Sequence, residues 1–254
     1  MRRIAFINEK GGSCKTTLAV NVSAWLAGHG QRCLLVDMDP QGQAGKALGL
    51  YVRELHPTIA DLLLQPRIPL PEVIRPTHIA GLDVLPANKT LADFPMQAAA
   101  LPRREHLLAE RLAAVTGYDF ILFDSPPSMG LVNTNIMLAA EEIVVPVNLT
   151  FLALDGCAEI VESVDWVRQE YSHHRLQIVL VVPTLYRPTR LADEILHKLR
   201  THFPGRVSKA VIGFNVKLDE AQSHGQSIFE YASWSRGAHM LEMLSREILQ
   251  LRRD

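Results

Sequence analysis

The stretch NEKGGSCKTT, residues 8–17, restricts this chain more than any other ten residues in it. It follows an apolar run, RIAFIN (3–8), and leads into a helical stretch, so the local order is strand, glycine-containing turn, helix. Gly11 and Gly12 permit a tight turn whose backbone amides can face an anion. The helix opening near Lys15 adds its partial positive charge. Lys15 and Thr16 then have the order of a phosphate-binding loop: the lysine suits β- and γ-phosphates, and the hydroxyl suits Mg2+. A Gly-Gly turn that merely caps a helix does not account for that order. Glu9 and Cys14 stand where the common pattern has glycine.

The rest of the chain repeats the alternation. Apolar runs at 3–8, 32–37, 82–86, 119–124, 142–147, 177–183 and 210–214 predict strands, several of them apolar on both faces as buried parallel strands are. Helical patterns fall at 15–28, 58–65, 103–116, 128–140, 156–171, 189–202 and 235–252. The expectation is one α/β domain over 1–254: a doubly wound, mostly parallel sheet flanked by helices. The proline-rich part, 57–102, is expected to be an irregular surface elaboration of that domain. Cys14, Cys33 and Cys157 form no C-x-x-C pair, so neither a disulfide framework nor a zinc site is implied, and the expected compartment is the reducing cytoplasm. No stretch reaches the length of a membrane span. The net charge of -1 means that nucleic-acid binding would need a local basic patch.

Two further motifs supply carboxylates. LLVDMDPQG (34–42) places Asp37 and Asp39 after the second strand, with Pro40 ending it. YDFILFDSPPS (118–128) is an apolar strand ending in Asp124, the Walker B arrangement in which the carboxylate holds magnesium through water. Pro126 and Pro127 stiffen the loop that follows, which suits a γ-phosphate sensor.

With Lys10 opening the loop, K-G-G-x-x-K-T, the chain resembles the ParA/MinD family of ATPases, P-loop NTPases of the SIMIBI type with a deviant Walker A motif. The resemblance continues through NVKLDEAQSHGQSIFEY (215–231) and SRGAHMLEML (235–244), and so spans essentially the whole chain. It best fits the short, Soj-type ParA branch, which implies no separate N-terminal DNA-binding domain. It implies ATP and Mg2+ as ligands, with Lys10, Gly11, Gly12, Ser13, Cys14, Lys15, Thr16 and Thr17 at the phosphates. Lys10 would cross a dimer interface to the partner's ATP, while Lys15 acts on the chain's own. Asp39 would position the attacking water, Thr16 and Asp124 would serve the metal, and Thr184, Phe214 and Asn215 would neighbour the adenine. Asp37 reads as a supporting group. Departures are Cys14, the Gly213-Phe214-Asn215 stretch where the family has P-R-N, and Gln222 where it has proline. The only approach to a guanine motif, NKTL at 88–91, has Leu91 in place of aspartate, which favours ATP over GTP.

The implied function is an ATP-dependent homodimer that binds DNA without sequence preference and positions a cargo (a chromosome origin, a plasmid or a protein assembly). A ParB-like or cargo-adaptor partner would stimulate slow hydrolysis, and the ATP-bound form would sit on the nucleoid. Arg187, Arg190, Lys198, Arg200 and Lys217 are the candidate DNA contacts within a longer late run of basic residues that includes Arg246, Arg252 and Arg253. Solvated faces without a partner are the alternative for the same residues. Along 189–202, Leu191, Ile195 and Leu199 are expected to share one face. Leu241, Leu244, Ile248 and Leu251 form a stripe expected to face the core, which with no spare amphipathic tail argues against a MinD-like membrane cycle. A nucleotide-dependent switch or scaffold with little hydrolysis is the other alternative. Two readings stay open at Cys14: a side chain tolerated by the loop, or a thiol activated by the helix N-terminus and lysines.

Overall fold

The computed structural model describes residues 1–251. Among these residues one seven-stranded sheet runs in the order β3-β4-β2-β5-β1-β6-β7. The strands are β1 (Arg2–Phe6), β2 (Cys33–Asp37), β3 (Arg75–Pro76), β4 (Leu82–Leu85), β5 (Phe120–Asp124), β6 (Glu142–Asn148) and β7 (Gln177–Thr184). All neighbours are parallel except β3, which pairs antiparallel with β4 at the edge. Helices α1 (Lys15–Gly28), α2 (Gln43–Ala47), α3 (Ile59–Leu64), α4 (Leu70–Val73), α5 (Phe94–Gln97) and α6 (Leu107–Arg111) lie in the first half. Helices α7 (Leu131–Ala139), α8 (Ala153–Glu170), α9 (Arg190–His202), α10 (Val216–Ser223), α11 (Ile228–Tyr231) and α12 (Arg236–Gln250) follow.

Strand alternation sends neighbouring side chains to opposite faces, and both faces are covered. Ala5, Leu34, Val36, Ile121 and Phe123 join a core with buried residues of α3 and α6–α9. Ile4, Phe6, Leu35 and Leu122 join a second core with α1 and α10–α12. Helix α1 is buried on nearly every side, which is why its sequence is apolar around most of its circumference. The chain leaves β1 toward β2 on one side and leaves β5 toward β6 on the other. The loops at the carboxyl ends of these strands therefore part above the sheet, and a crevice opens there.

Several expected elements differ. The run 210–214 is not a strand of the sheet. It touches the β7 end only through bridges such as Tyr186 to Gly213, while Ser208 Oγ donates to the Ala210 carbonyl at 2.6 Å and bends the chain. The helix expected over 103–116 shrinks to α6, because Arg103 takes a left-handed φ of 52° and Asn135 takes up the backbone nearby. Its Oδ1 accepts from the Leu108 amide at 3.0 Å, and its amide donates to the Arg104 carbonyl at 2.9 Å. Residues 57–102 carry α3, α4, β3, β4 and α5 and bury Ile59, Leu62 and Phe94 in the core. On α9 the buried face is Ala192, Ile195, Leu196 and Leu199, whereas Leu191 is exposed. The stripe of α12 does face the core at Leu241, Leu244 and Ile248. Arg252 and Arg253, and the expected end of this helix at 252, lie outside the described residues.

Candidate functional site

The loop between β1 and α1 is held from three directions. The Asn8 side chain donates to the Pro146 carbonyl at 2.6 Å and accepts from the Lys10 amide at 2.9 Å. Thr184, fully buried at the end of β7, donates to the Ser13 carbonyl at 3.2 Å. The Lys15 ammonium donates to the Lys10 carbonyl at 3.1 Å, so the loop curls around the lysine that follows it. Burial lowers the Lys15 pKa, while Asp124 and Asp39 pull it back up.

Cys14 caps α1 with φ 71° and ψ 22°, in the left-handed region that favours glycine. The departure at this position is thus a backbone matter. Burial, with the Asp219 carboxylate second, pushes the thiol up to about 11 despite Lys15, which speaks against the activated-thiol reading. Replacing Cys14 by glycine should raise stability by up to about 1 kcal/mol, or ~2–4 °C in Tm. An unchanged or lower melting temperature would mean that packing of the thiol outweighs the backbone strain.

Lys10 does not line the cleft. Its ammonium donates to the Leu152 carbonyl at the start of α8, and its chain lies across Gly156, where an added Cβ would come within 3.1 Å of Lys10 Cε. A cation at a helix N-terminus is held against the helix dipole, so this contact is weak.

Behind the loop, Phe6, Asp124 and Asp37 stand in register across β1, β5 and β2. Asp37 accepts from the Asp39 amide at 3.1 Å and the Gly45 amide at 3.2 Å, tying the D-x-D-P turn to α2, as expected of a supporting group. Burial, opposed by those amides, pushes its carboxyl up to about 7. Both oxygens of Asp124 are buried without a hydrogen-bond partner. Burial, with Asp37 next to it, raises this carboxyl well above the ordinary range, while Thr16 and Lys15 oppose the shift. Asp39 is nearly buried, and its Oδ1 accepts from the Gln41 amide at 2.8 Å.

Above these groups lies a cleft of about 850 Å3 that brings together residues 11–17, Asp39 and Phe214. It does not include Asn215, whose Oδ1 caps α10 by accepting from the Lys217 amide at 2.9 Å. Sequence reading did not place Leu185, Asp219 or Gln222 in this site, nor the wall of Leu91, Ala92 and Pro95 from the 57–102 region. The departure from the family pattern at Gln222 was the available signal: its amide donates to the Thr17 hydroxyl at 2.8 Å.

The candidate DNA contacts do not form one free patch. Arg187 stacks on Phe214, 4.6 Å from the ring centroid. Arg190 pairs with Glu194 at 2.9 Å, and Lys217 with Glu220 at 2.6 Å. Lys198 and Arg200 are exposed on α9. No helix among the described residues is long and apolar enough to cross a membrane.

Comparison with known proteins agrees with this geometry. A protein-family profile described as an AAA domain matches residues 1–178. The chromosome partitioning protein ParA of Caulobacter vibrioides is 34% identical over 258 residues, covering 100% of this chain and 96% of the relative. The chromosome-partitioning ATPase Soj of Thermus thermophilus is 39% identical, covering 98% and 96%. Among solved structures, cobyrinic acid a,c-diamide synthase from Mycobacterium smegmatis with bound ATP analog and magnesium superposes with a TM-score of 0.86 at 27% identity, covering 98% and 94%.

Proposed function

Because the chain belongs to the ParA/Soj family of ATPases, we propose that it binds ATP and Mg2+ in this cleft and hydrolyses ATP slowly. The ATP-bound form closes as a homodimer, binds DNA without sequence preference and positions a cargo in the cytoplasm, on the nucleoid. A ParB-like or adaptor partner stimulates hydrolysis and releases it.

The observation that carries this reading is Asp124, a buried carboxylate with two partnerless oxygens beside Thr16 and Lys15. Such a group is costly unless a cation completes it. Among the described residues no cluster of three or more His, Cys, Asp or Glu is placed to hold a metal. So few protein ligands suit Mg2+, which keeps most of its other ligands as water or phosphate oxygens. The Thr16 hydroxyl and, through water, Asp124 would hold it, and it would supply charge neutralisation at the phosphates. The residues divide the remaining work. Gly11 to Thr17 cradle the phosphates, Lys15 holds them by charge, and Asp39 orients the attacking water. Lys10 leaves the Leu152 carbonyl and reaches the partner's nucleotide. Lys198 and Arg200, with Arg187, Arg190 and Lys217 partly engaged elsewhere, supply phosphate contacts doubled by dimerisation.

A gel shift at two salt concentrations tests the cycle. Wild type should retard DNA only with ATP, Lys10→Ala should not, and binding should fall steeply with salt. ATP-independent retardation, or an unchanged shift with Lys10→Ala, would sink the dimer reading. The left-handed Cys14 favours a second reading, a switch that binds ATP but barely turns it over. Partner-free and DNA-stimulated turnover, compared with Cys14→Gly, separates the two.

A further inference from the structure

We propose that Asp219 reads the sugar of the bound nucleotide, accepting hydrogen bonds from the ribose hydroxyls, so that the chain prefers ribonucleoside to deoxyribonucleoside triphosphates. This rests on the nucleotide reading above and specifies the ligand of that site.

Lys15 and Thr16, beside Asp124, give the cleft a cationic, donor-rich part. The hydroxyl of Thr17, the next residue, accepts from the Gln222 amide at 2.8 Å. That bond fixes α10 against the phosphate loop. Asp219 stands three residues before Gln222, on the same face of α10, and both line the cleft. Leu185 and Phe214 supply an apolar and aromatic wall, the latter covered on one face by the Arg187 guanidinium. Along the chain Asp219 stands between Phe214, on the aromatic wall, and Gln222, bonded to Thr17, so its carboxylate lies between the two on the α10 side of the cleft. A nucleoside triphosphate has the same order: anion, hydroxylated sugar, flat base.

Asp219 has no hydrogen-bond or ion-pair partner among the described residues, so its oxygens are free to accept. A carboxylate repels phosphate and rewards only donors. At this place in a nucleotide the donors are the sugar hydroxyls. The competing role, an acidic residue favouring the first turn of α10, would affect stability and not sugar preference.

Titration calorimetry with Mg2+ decides between them, using ATP, 2′-deoxyATP, 3′-deoxyATP and inorganic tripolyphosphate. Wild type should bind ATP about tenfold or more tighter than the weaker of the two deoxy forms, as expected for a hydrogen bond to a charged acceptor. Asp219→Ala should narrow that ratio to within about twofold, and Asp219→Asn should keep part of it. Tripolyphosphate should bind the variants at least as well as wild type, since a negative charge has gone. Equal affinity of wild type for all three nucleotides, or discrimination that survives Asp219→Ala, would overturn the proposal while leaving nucleotide binding intact. Failure of both ATP and tripolyphosphate to bind wild type would overturn the nucleotide reading and this one with it.

Discussion

Asp124→Asn should make the nucleotide-free protein more stable and the enzyme inert. The wild-type carboxylate is buried with both oxygens unpartnered and faces the like charge of Asp37. Removing the charge relieves on the order of 2 kcal/mol, or ~4–8 °C in Tm for a chain of this length. The sign depends on pH. Folding raises the Asp124 and Asp37 pKa values, so the native state keeps protons that the unfolded chain releases. Their contribution is intact below the ordinary aspartate range and is lost as pH rises through the folded values, about 7 for Asp37. The advantage of Asp124→Asn should therefore be largest above pH 7 and shrink toward pH 4. Mg2+-dependent turnover should fall by roughly 100-fold or more, because the metal loses its charged protein partner. Thermal melts across pH with parallel phosphate-release assays check both halves. A variant that is less stable at pH 8, or that retains Mg2+-dependent turnover, would contradict the assignment.

Lys15→Ala should weaken ATP binding by about 100-fold whether or not Mg2+ is present, the effect of losing a buried ammonium that meets phosphate oxygens. The contrast with Asp124→Asn is informative. That variant should still bind ATP in EDTA, because its defect is confined to the metal. Lys15 also partly balances Asp124 and Asp39 in a dry site, so its removal should lower the melting temperature and not raise it. Calorimetric titration with and without Mg2+ reads the difference. Equal losses in the two variants under both conditions would mean that the two side chains do not divide the anion and the metal between them.

Local rules made parts of this molecule legible in advance. The glycine pair, the Lys15-Thr16 order and the apolar strands ending in Asp37 and Asp124 are short-range signals, each carried by neighbouring residues along the chain. They sufficed for the doubly wound α/β fold and for bringing the loop 11–17 and Asp39 to one cleft. Asp37 was readable as a supporting group because a residue two before another carboxylate, at the end of a buried strand, naturally accepts backbone amides. The strand expected at 210–214 failed because the segment runs parallel to β7 with isolated bridges at Val207 and Gly213, and between them Ser208 Oγ donates to the Ala210 carbonyl and interrupts the ladder. The helix expected over 103–116 failed because Asn135, distant in sequence, holds the backbone at Arg104 and Leu108.

The sequence by itself determined the strand-turn-helix form of the loop, the doubly wound α/β class, and the family. Each follows from spacing between residues that are close along the chain. Only the tertiary structure decided which side chains share the cleft and which are diverted from it. Asp219 and Gln222 arrive from α10, some 200 residues from the loop, because α10 and α1 belong to the same buried face of the sheet. Asn215 and Arg187, equally plausible from sequence, are spent on a helix cap and on an aromatic ring. Lys10 rests on α8 because Gly156 leaves room there. Such outcomes depend on long-range packing, in which a glycine's missing side chain or a strand's crossing sets distances that no local pattern encodes.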